Sequence, residues 1–187
     1  MRYFALVAAL ALFTSNASAN ALLVDDFSTP GVSALGTRWQ AFTDGVMGGR
    51  SQMNAGIVED DGANVLRMVG TVSLENNGGF IQVRLPLAAR GSFDASEYTG
   101  IAVETRGRPG AYFVHLRTRD TRRPWQHFKA RIPVGAEWQR TVIPFDEFVP
   151  DSIRATVDAA QLTSLAIAAA GEAFQGDVSV RRIEFVP

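Results

Sequence analysis

The stretch "AYFVHLRTR", Ala111 to Arg119, alternates strictly: Tyr112, Val114 and Leu116 fall on one side, and Phe113, His115, Arg117 and Arg119 on the other. Successive side chains of an extended chain point to opposite faces, so this pattern marks a strand with one dry and one wet face. "HFKARIPV", His127 to Val134, repeats it, with Phe128, Ala130, Ile132 and Val134 inward against His127, Lys129, Arg131 and Pro133. "FIQVRLPLA", Phe80 to Ala88, sets Ile81, Val83, Leu85 and Leu87 against Gln82, Arg84 and Pro86. Together these segments predict sheets that pack on a core with one face and meet solvent with the other.

Working outward, seven more segments read as strands: Leu22 to Phe27, Arg38 to Phe42, Val65 to Leu74, Ile101 to Thr105, Trp138 to Ile143, Ser164 to Ala168 and Val178 to Phe185. Turn clusters such as "RGRPG", "PVGAE" and "FQGD" separate several of them, because glycine and proline supply the backbone angles that corners need. The one expected helix is short, Val157 to Leu162. So many strands with so little helix predict an all-β fold, an antiparallel β-sandwich or jelly roll.

The chain opens with "MRYFALVAALALFTSNASANA": Arg2, an apolar run from Tyr3 to Phe13, then small residues ending in Ala17-Ser18-Ala19. This is the layout of a secretory signal with an A-x-A cleavage site, so residues 1–19 are expected to be a leader. Residues 20–187 are then a single domain, exported to the periplasm and soluble. The apolar run is shorter than the about 20 residues that cross a bilayer, and no transmembrane segment is expected. The 187 residues include no cysteine, so disulfides and thiolate ligands are unavailable to the fold. A net charge of −1 argues against a general nucleic-acid binder.

Two glycine-rich segments stand out, "DGVMGGRSQ" (Asp44 to Gln52) and "SLENNGGF" (Ser73 to Phe80), each leading into strand-like chain. Neither matches a phosphate-binding glycine motif. Their double glycines supply positive φ or close backbone approach, and if Gly78 or Gly79 adopts positive φ its replacement by valine is expected to cost more than about 1 kcal/mol. The combination W-x4-DGVMGGRSQ (Trp39 to Gln52) and G-x-VSLENNGGFIQVR (Gly70 to Arg84) resembles the complex I intermediate-associated protein 30 family, whose mitochondrial members help assemble respiratory complex I. The resemblance continues through "EYTGI", "YFVHLR", W-x5-IPFDEF and "GEAFQGDVSVRRIEF". It implies a galactose-binding-like β-sandwich and a non-catalytic assembly or chaperone-like role with protein partners, including respiratory complex subunits. One departure is the export signal, since the mitochondrial members carry a transit peptide and act in the matrix.

Two groups of polar residues are binding candidates. The first comprises Asp44, Arg50, Ser51, Glu75, Asn76, Asn77 and Arg84, which two adjoining loops could present to a polar partner. The bland alternative is that Asp44 and Asn77 cap turns and the arginines pair internally with Asp44 or Glu75. The second group is His115, Arg117, Arg119, His127, Lys129 and Arg131, which share one face if their strands form a hairpin. Trp125 lies in the arginine-rich connection between them and is a stacking candidate. This basic stripe suits an acidic partner, an anionic glycan or lipid headgroups; the alternative is a solvated outer face. Trp39, Trp138, Phe145 and Phe148 are expected to pack.

No H-E-x-x-H spacing or G-x-S-x-G elbow is present, and neither an enzyme nor a cofactor is expected. The acidic runs Asp25-Asp26 and Glu59-Asp60-Asp61 suit turns, or a structural calcium. The second functional expectation, from the fold alone, is a carbohydrate- or small-ligand-binding module.

Overall fold

The computed structural model describes residues 20–187, so the leader expected over residues 1–19 lies outside the described residues. The strands are β1 (Leu22–Asp25), β2 (Gln40–Thr43), β3 (Gln52–Asp60), β4 (Ala63–Val72), β5 (Phe80–Pro86), β6 (Gly100–Gly107), β7 (Tyr112–Thr118), β8 (His127–Ile132), β9 (Gln139–Pro144), β10 (Val149–Asp151), β11 (Leu162–Ala170) and β12 (Phe174–Val186). They form two antiparallel sheets. The first runs β3-β4-β12-β6-β9 with β1 beside β12, and the second runs β10-β8-β7-β11-β5-β2. The fold is the all-β sandwich that the alternation predicts.

The alternating apolar residues meet between the sheets. Val83 and Leu85 of β5, Val114 and Leu116 of β7, Leu66 and Met68 of β4 and Val180, Ile183 and Phe185 of β12 are all buried in one core. Tyr112 crosses it: its hydroxyl donates to the Asp177 carbonyl (3.2 Å) and accepts from the Asp177 N–H (2.8 Å), tying β7 of one sheet to β12 of the other. A buried phenol needs such partners, and here both lie on backbone.

Two strands lie beyond the ten candidates. β3 is an edge strand with no fully buried residue, and Gly56 interrupts its alternation, so the residues after the first motif show only a general strand-like character. β10 is three residues paired to β8 and carries no periodic signal. The expected helix at Val157 to Leu162 is instead a single 3-10 turn, Ala159–Gln161, with the Asp158 carboxylate accepting from the Ala160 N–H at 3.1 Å. Leu162 already belongs to β11, which stops the turn from extending.

The two glycine-rich segments carry the chain between sheets. The first leaves β2 of the second sheet, makes a 3-10 turn at Asp44–Met47 and enters β3 of the first. The second leaves β4 of the first sheet, turns at Glu75–Asn77 and enters β5 of the second.

Candidate functional site

Asp44 joins the two crossovers. It is fully buried, and its Oδ1 accepts from the Ser51 N–H (2.9 Å) while Oδ2 accepts from the Ser51 hydroxyl and the Gly79 N–H (2.7 Å). Phe80 N–H adds a longer contact at 3.4 Å. Ser51 then reaches across, its hydroxyl oxygen accepting from the Ser73 N–H at 2.9 Å. Burial pushes the Asp44 carboxyl up, but the Ser51 hydroxyl and the three N–H donors outweigh it and hold the group below the usual carboxylate range.

The double glycines are the space this arrangement needs. A Cβ on Gly49 would lie 2.3 Å from the Asp44 Cγ, and one on Gly78 would lie 2.6 Å from both Asp44 Oδ2 and the Ser73 carbonyl oxygen. The other member of each pair supplies the backbone turn, with φ +88° at Gly48 and +136° at Gly79. Asn76 and Asn77 are also left-handed, at φ 55° and 59°, which asparagine tolerates better than most residues.

Ser51 is buried with this carboxylate, and around the two of them the loops expose Arg50, Glu75, Asn76 and Asn77. Arg50 and Glu75 form an exposed ion pair between the two loops at 3.1 Å, and Asn76 and Asn77 face solvent. Three residues that sequence reasoning did not single out are exposed apolar side chains on the same loops: Val46 (72% exposed), Met47 (56%) and Leu74 (53%). Their signal was apolar character inside a glycine-rich turn.

Arg84 belongs to the second motif in sequence but to a different surface in space. On the outer face of the second sheet, strand register places Val149, Lys129, His115, Ala166, Arg84 and Gln40 in one row across all six strands. A parallel row holds Arg131, Phe113, Ala168, Gln82 and Phe42. The face therefore gathers His115, Arg117, His127, Lys129 and Arg131 as the hairpin reading expects. Arg119 lies past the end of β7, in the exposed connection to β8. Trp125 lies there too, 55% exposed, with the Arg123 guanidinium 5.8 Å from its ring centroid.

The imidazoles of His115 and His127 stand 4.1 Å apart. Burial, then the nearby His127 and Lys129, push His115 well below its ordinary value against the opposing pull of Asp151. Burial also lowers His127, although the Trp125 carbonyl and Asp151 favour its charged form. Unfolded histidines take up a proton near pH 6.5, whereas these do so only at lower pH. Between the two values the unfolded chain binds more protons, so stability is full above pH 6.5 and declines as the pH falls below it. Urea unfolding between pH 7.5 and 5 is expected to show this slope, at up to about 1.4 kcal/mol per pH unit for each such histidine. His115→Gln should flatten it; an unchanged slope would place the proton uptake elsewhere.

Arg117 is half-buried and donates to the Thr121 carbonyl (2.6 Å) and the Arg123 carbonyl (2.8 Å). Lys129 donates to Asp151 at 2.6 Å, and that hydrogen bond holds Asp151 below the usual carboxylate range against burial. Arg84 lies over the Phe42 ring, 4.6 Å from its centroid, and reaches the Gln40 amide oxygen at 3.3 Å.

The aromatic residues expected to pack divide in two. Trp39, Phe145 and Phe148 lie in or against the core, and the Trp39 indole N–H donates to Asp25 at 2.8 Å. Trp138 instead sits on the outer face of the first sheet between the guanidinium groups of Arg106 (5.0 Å) and Arg181 (4.7 Å). Of the acidic runs, Asp60 and Asp61 both pair with Arg106. Among the described residues no cluster of three or more metal-ligating side chains occurs, and no helix is long and apolar enough to cross a membrane.

Comparison with known proteins agrees with this architecture. The chain is similar to the family 11 carbohydrate-binding module of the cellulosomal cellulase Lic26A-Cel5E of Clostridium thermocellum, with a TM-score of 0.71 and 17% identity over 89% of this chain and 94% of that one. It is also similar to the family 11 module from Clostridium thermocellum in complex with a β-1,3-1,4-mixed-linked tetrasaccharide (TM-score 0.67, 15% identity, 89% and 95% covered). A third likeness is the family 30 module of the cellulosomal cellulase Cel9D-Cel44B of the same organism (TM-score 0.62, 18% identity, 89% and 96% covered). At these identities the likeness is one of fold. No curated protein matches the chain significantly. The family model for complex I intermediate-associated protein 30 matches residues 26–179, which include both motif crossovers and all but the ends of the sandwich, and the chain belongs to that family.

Proposed function

We propose that this chain is a non-catalytic binding protein that assists assembly of a protein complex in the cell envelope, docking its partner on the two motif crossovers. One observation carries the reading: Val46, Met47 and Leu74 are exposed on loops that a buried carboxylate and its donors hold in place. Apolar side chains on ordered loops lose little further entropy when covered, which suits a protein contact. The exposed Arg50–Glu75 pair and Asn76 and Asn77 supply a polar rim around them. Family membership and the leader-like sequence of residues 1–19 support an assembly role in the envelope.

A crosslinking pull-down from intact envelopes tests this reading. Wild-type protein is expected to recover specific membrane-complex subunits, with respiratory subunits the first to look for. A Met47→Asp, Leu74→Asp double variant should recover at least tenfold less while unfolding at the wild-type temperature, since exposed substitutions rarely alter stability much. Equal recovery by both proteins, or recovery of nothing specific by either, would remove the reading.

A second reading, carbohydrate binding, is supported at another place. The outer face of the second sheet carries guanidinium, imidazole, amide and phenyl groups side by side in open rows. It is compatible with the first reading, because the two surfaces use different residues.

A further inference from the structure

The two outer faces of the sandwich treat their arginines differently. On the first sheet every outward arginine meets a carboxylate: Arg67 with Asp177 (2.9 Å), Arg106 with Asp60 and Asp61, Arg140 with Glu184 (3.4 Å), Arg181 with Glu104 (2.7 Å) and Arg182 with Glu184 (2.8 Å). A bulge in β12, where the register against β6 shifts between Val180 and Arg182, turns two consecutive arginines outward and both are neutralised. Among the described residues of the second sheet, Asp151 pairs with Lys129 (2.6 Å) and lies 4.0 Å from the His127 ring, and no arginine has such a partner. Among the described residues Arg84 and Arg117 bond to an amide or to carbonyl oxygens, and none of Arg84, Arg117 and Arg131 forms an ion pair. Burial, and then the nearby Arg84, lower Arg117. A chain of net charge −1 that neutralises one face and leaves the other cationic has set that second face against a negative partner.

We infer that the outer face of the second sheet binds an acidic polysaccharide, its guanidinium groups taking uronate carboxylates and its phenyl rings taking sugar faces. This rests on the carbohydrate reading above and names the sugar class. Arg84 and Lys129 share a row three strands apart, about 14 Å between backbones at the usual strand spacing. Their heads turn to opposite edges, one over Phe42 and the other to Asp151. A single small anion cannot engage both; a chain with repeated carboxylates can. Phe42 and Phe113 stand in the neighbouring row at the same spacing, with the Gln82 amide between them and Arg131 beyond Phe113. An extended acidic peptide is the poorer fit, because recognition of its main chain takes the unpaired edge of a sheet, and these cations stand on a face whose backbone is already paired.

Isothermal titration of the purified protein decides the matter with five probes: oligogalacturonate, oligomannuronate, fully methyl-esterified oligogalacturonate, a mixed-linked β-glucan tetrasaccharide and polyglutamate. One or both uronate chains should bind, more weakly at high salt, and the ester and the neutral glucan should bind at least tenfold more weakly. Arg84→Gln with Arg131→Gln should reduce uronate affinity about tenfold or more, as loss of charge-assisted bonds does, while Arg67→Gln on the opposite face leaves it unchanged. Neutral glucan binding as well as uronate would overturn the acidic assignment and leave the carbohydrate reading standing. Polyglutamate binding as tightly as either uronate would assign the face to an acidic protein instead. Binding of no probe would overturn both the assignment and the carbohydrate reading beneath it.

Discussion

Asp44→Ala is expected to lower the unfolding free energy by about 3–5 kcal/mol, the range for removing a buried charge from hydrogen-bonded partners. The loss is large because the carboxylate serves several donors at once. The Ser51 hydroxyl, the Ser51 N–H and the Gly79 N–H all lose their acceptor in a place where water does not replace it. Asp44→Asn keeps the volume and one carbonyl oxygen but aims an amide N–H₂ at groups that are themselves donors, so about 2 kcal/mol is expected. The pH dependence separates charge from shape. Because the folded group titrates below the ordinary carboxylate range, its stabilisation is present above that range and disappears as the pH falls through the folded value. Acid unfolding of the Asn variant should therefore lack part of the wild-type decline. Urea titrations at neutral and acidic pH measure both, and a wild-type midpoint for Asp44→Ala would show that the crossovers are held by something else.

Gly78→Ala is the second large effect, at about 2–4 kcal/mol, as for overpacking against atoms that cannot retreat. The added methyl would meet Asp44 Oδ2 at 2.6 Å and the carbonyl oxygens of Ser73 at 2.6 Å and Glu75 at 2.8 Å. Two of those three are backbone. The φ of Gly78 is −71°, so the cost is one of space and not of dihedral angle. Gly48→Ala gives the contrast: nothing lies within 4 Å of its Cβ position, but its φ is +88°. A penalty of about 1 kcal/mol is expected there. Thermal melts of both variants should rank Gly78→Ala well below Gly48→Ala; the reverse order would mean that backbone angle matters more than contact with the carboxylate.

The strands were legible because their signal is local. "AYFVHLRTR" and "HFKARIPV" declare inner and outer faces within a few residues, and the structure assigns those faces as read, with Val114, Leu116, Phe128 and Ile132 in the core. β3 and β10 were not legible as bounded strands, since an edge strand without buried residues and a three-residue strand carry no periodicity. The motif crossovers were recognisable as special but not interpretable. "DGVMGG" and "ENNGG" look like exposed polar loops, and the burial of Asp44 depends on Gly79, 35 positions away, arriving beside it. Which glycine serves angle and which serves space was not legible: Gly79 has φ +136°, whereas Gly78 makes room for the Asp44 carboxylate. The contrast between neutralised and unneutralised arginines was invisible in sequence. Arg67 meets Asp177 from 110 positions away, and only the strand order makes them neighbours.

That strand order also bears on how the protein folds. β12, the last strand in the chain, is an interior strand of the first sheet, bordered by β6 on one side and by β4 and β1 on the other. β3 with β4, and β6 with β9, are two half-sheets that have no partner between them until β12 enters. β4 and β6 then each present an open edge of main-chain donors and acceptors, the kind of edge that invites pairing with another chain. The joining strand must find its β4 partners more than a hundred residues back, a search that non-local topologies make slow. The folding chain is thus most exposed to aggregation until β12 is in place, and this is when a holding chaperone would matter most to its yield.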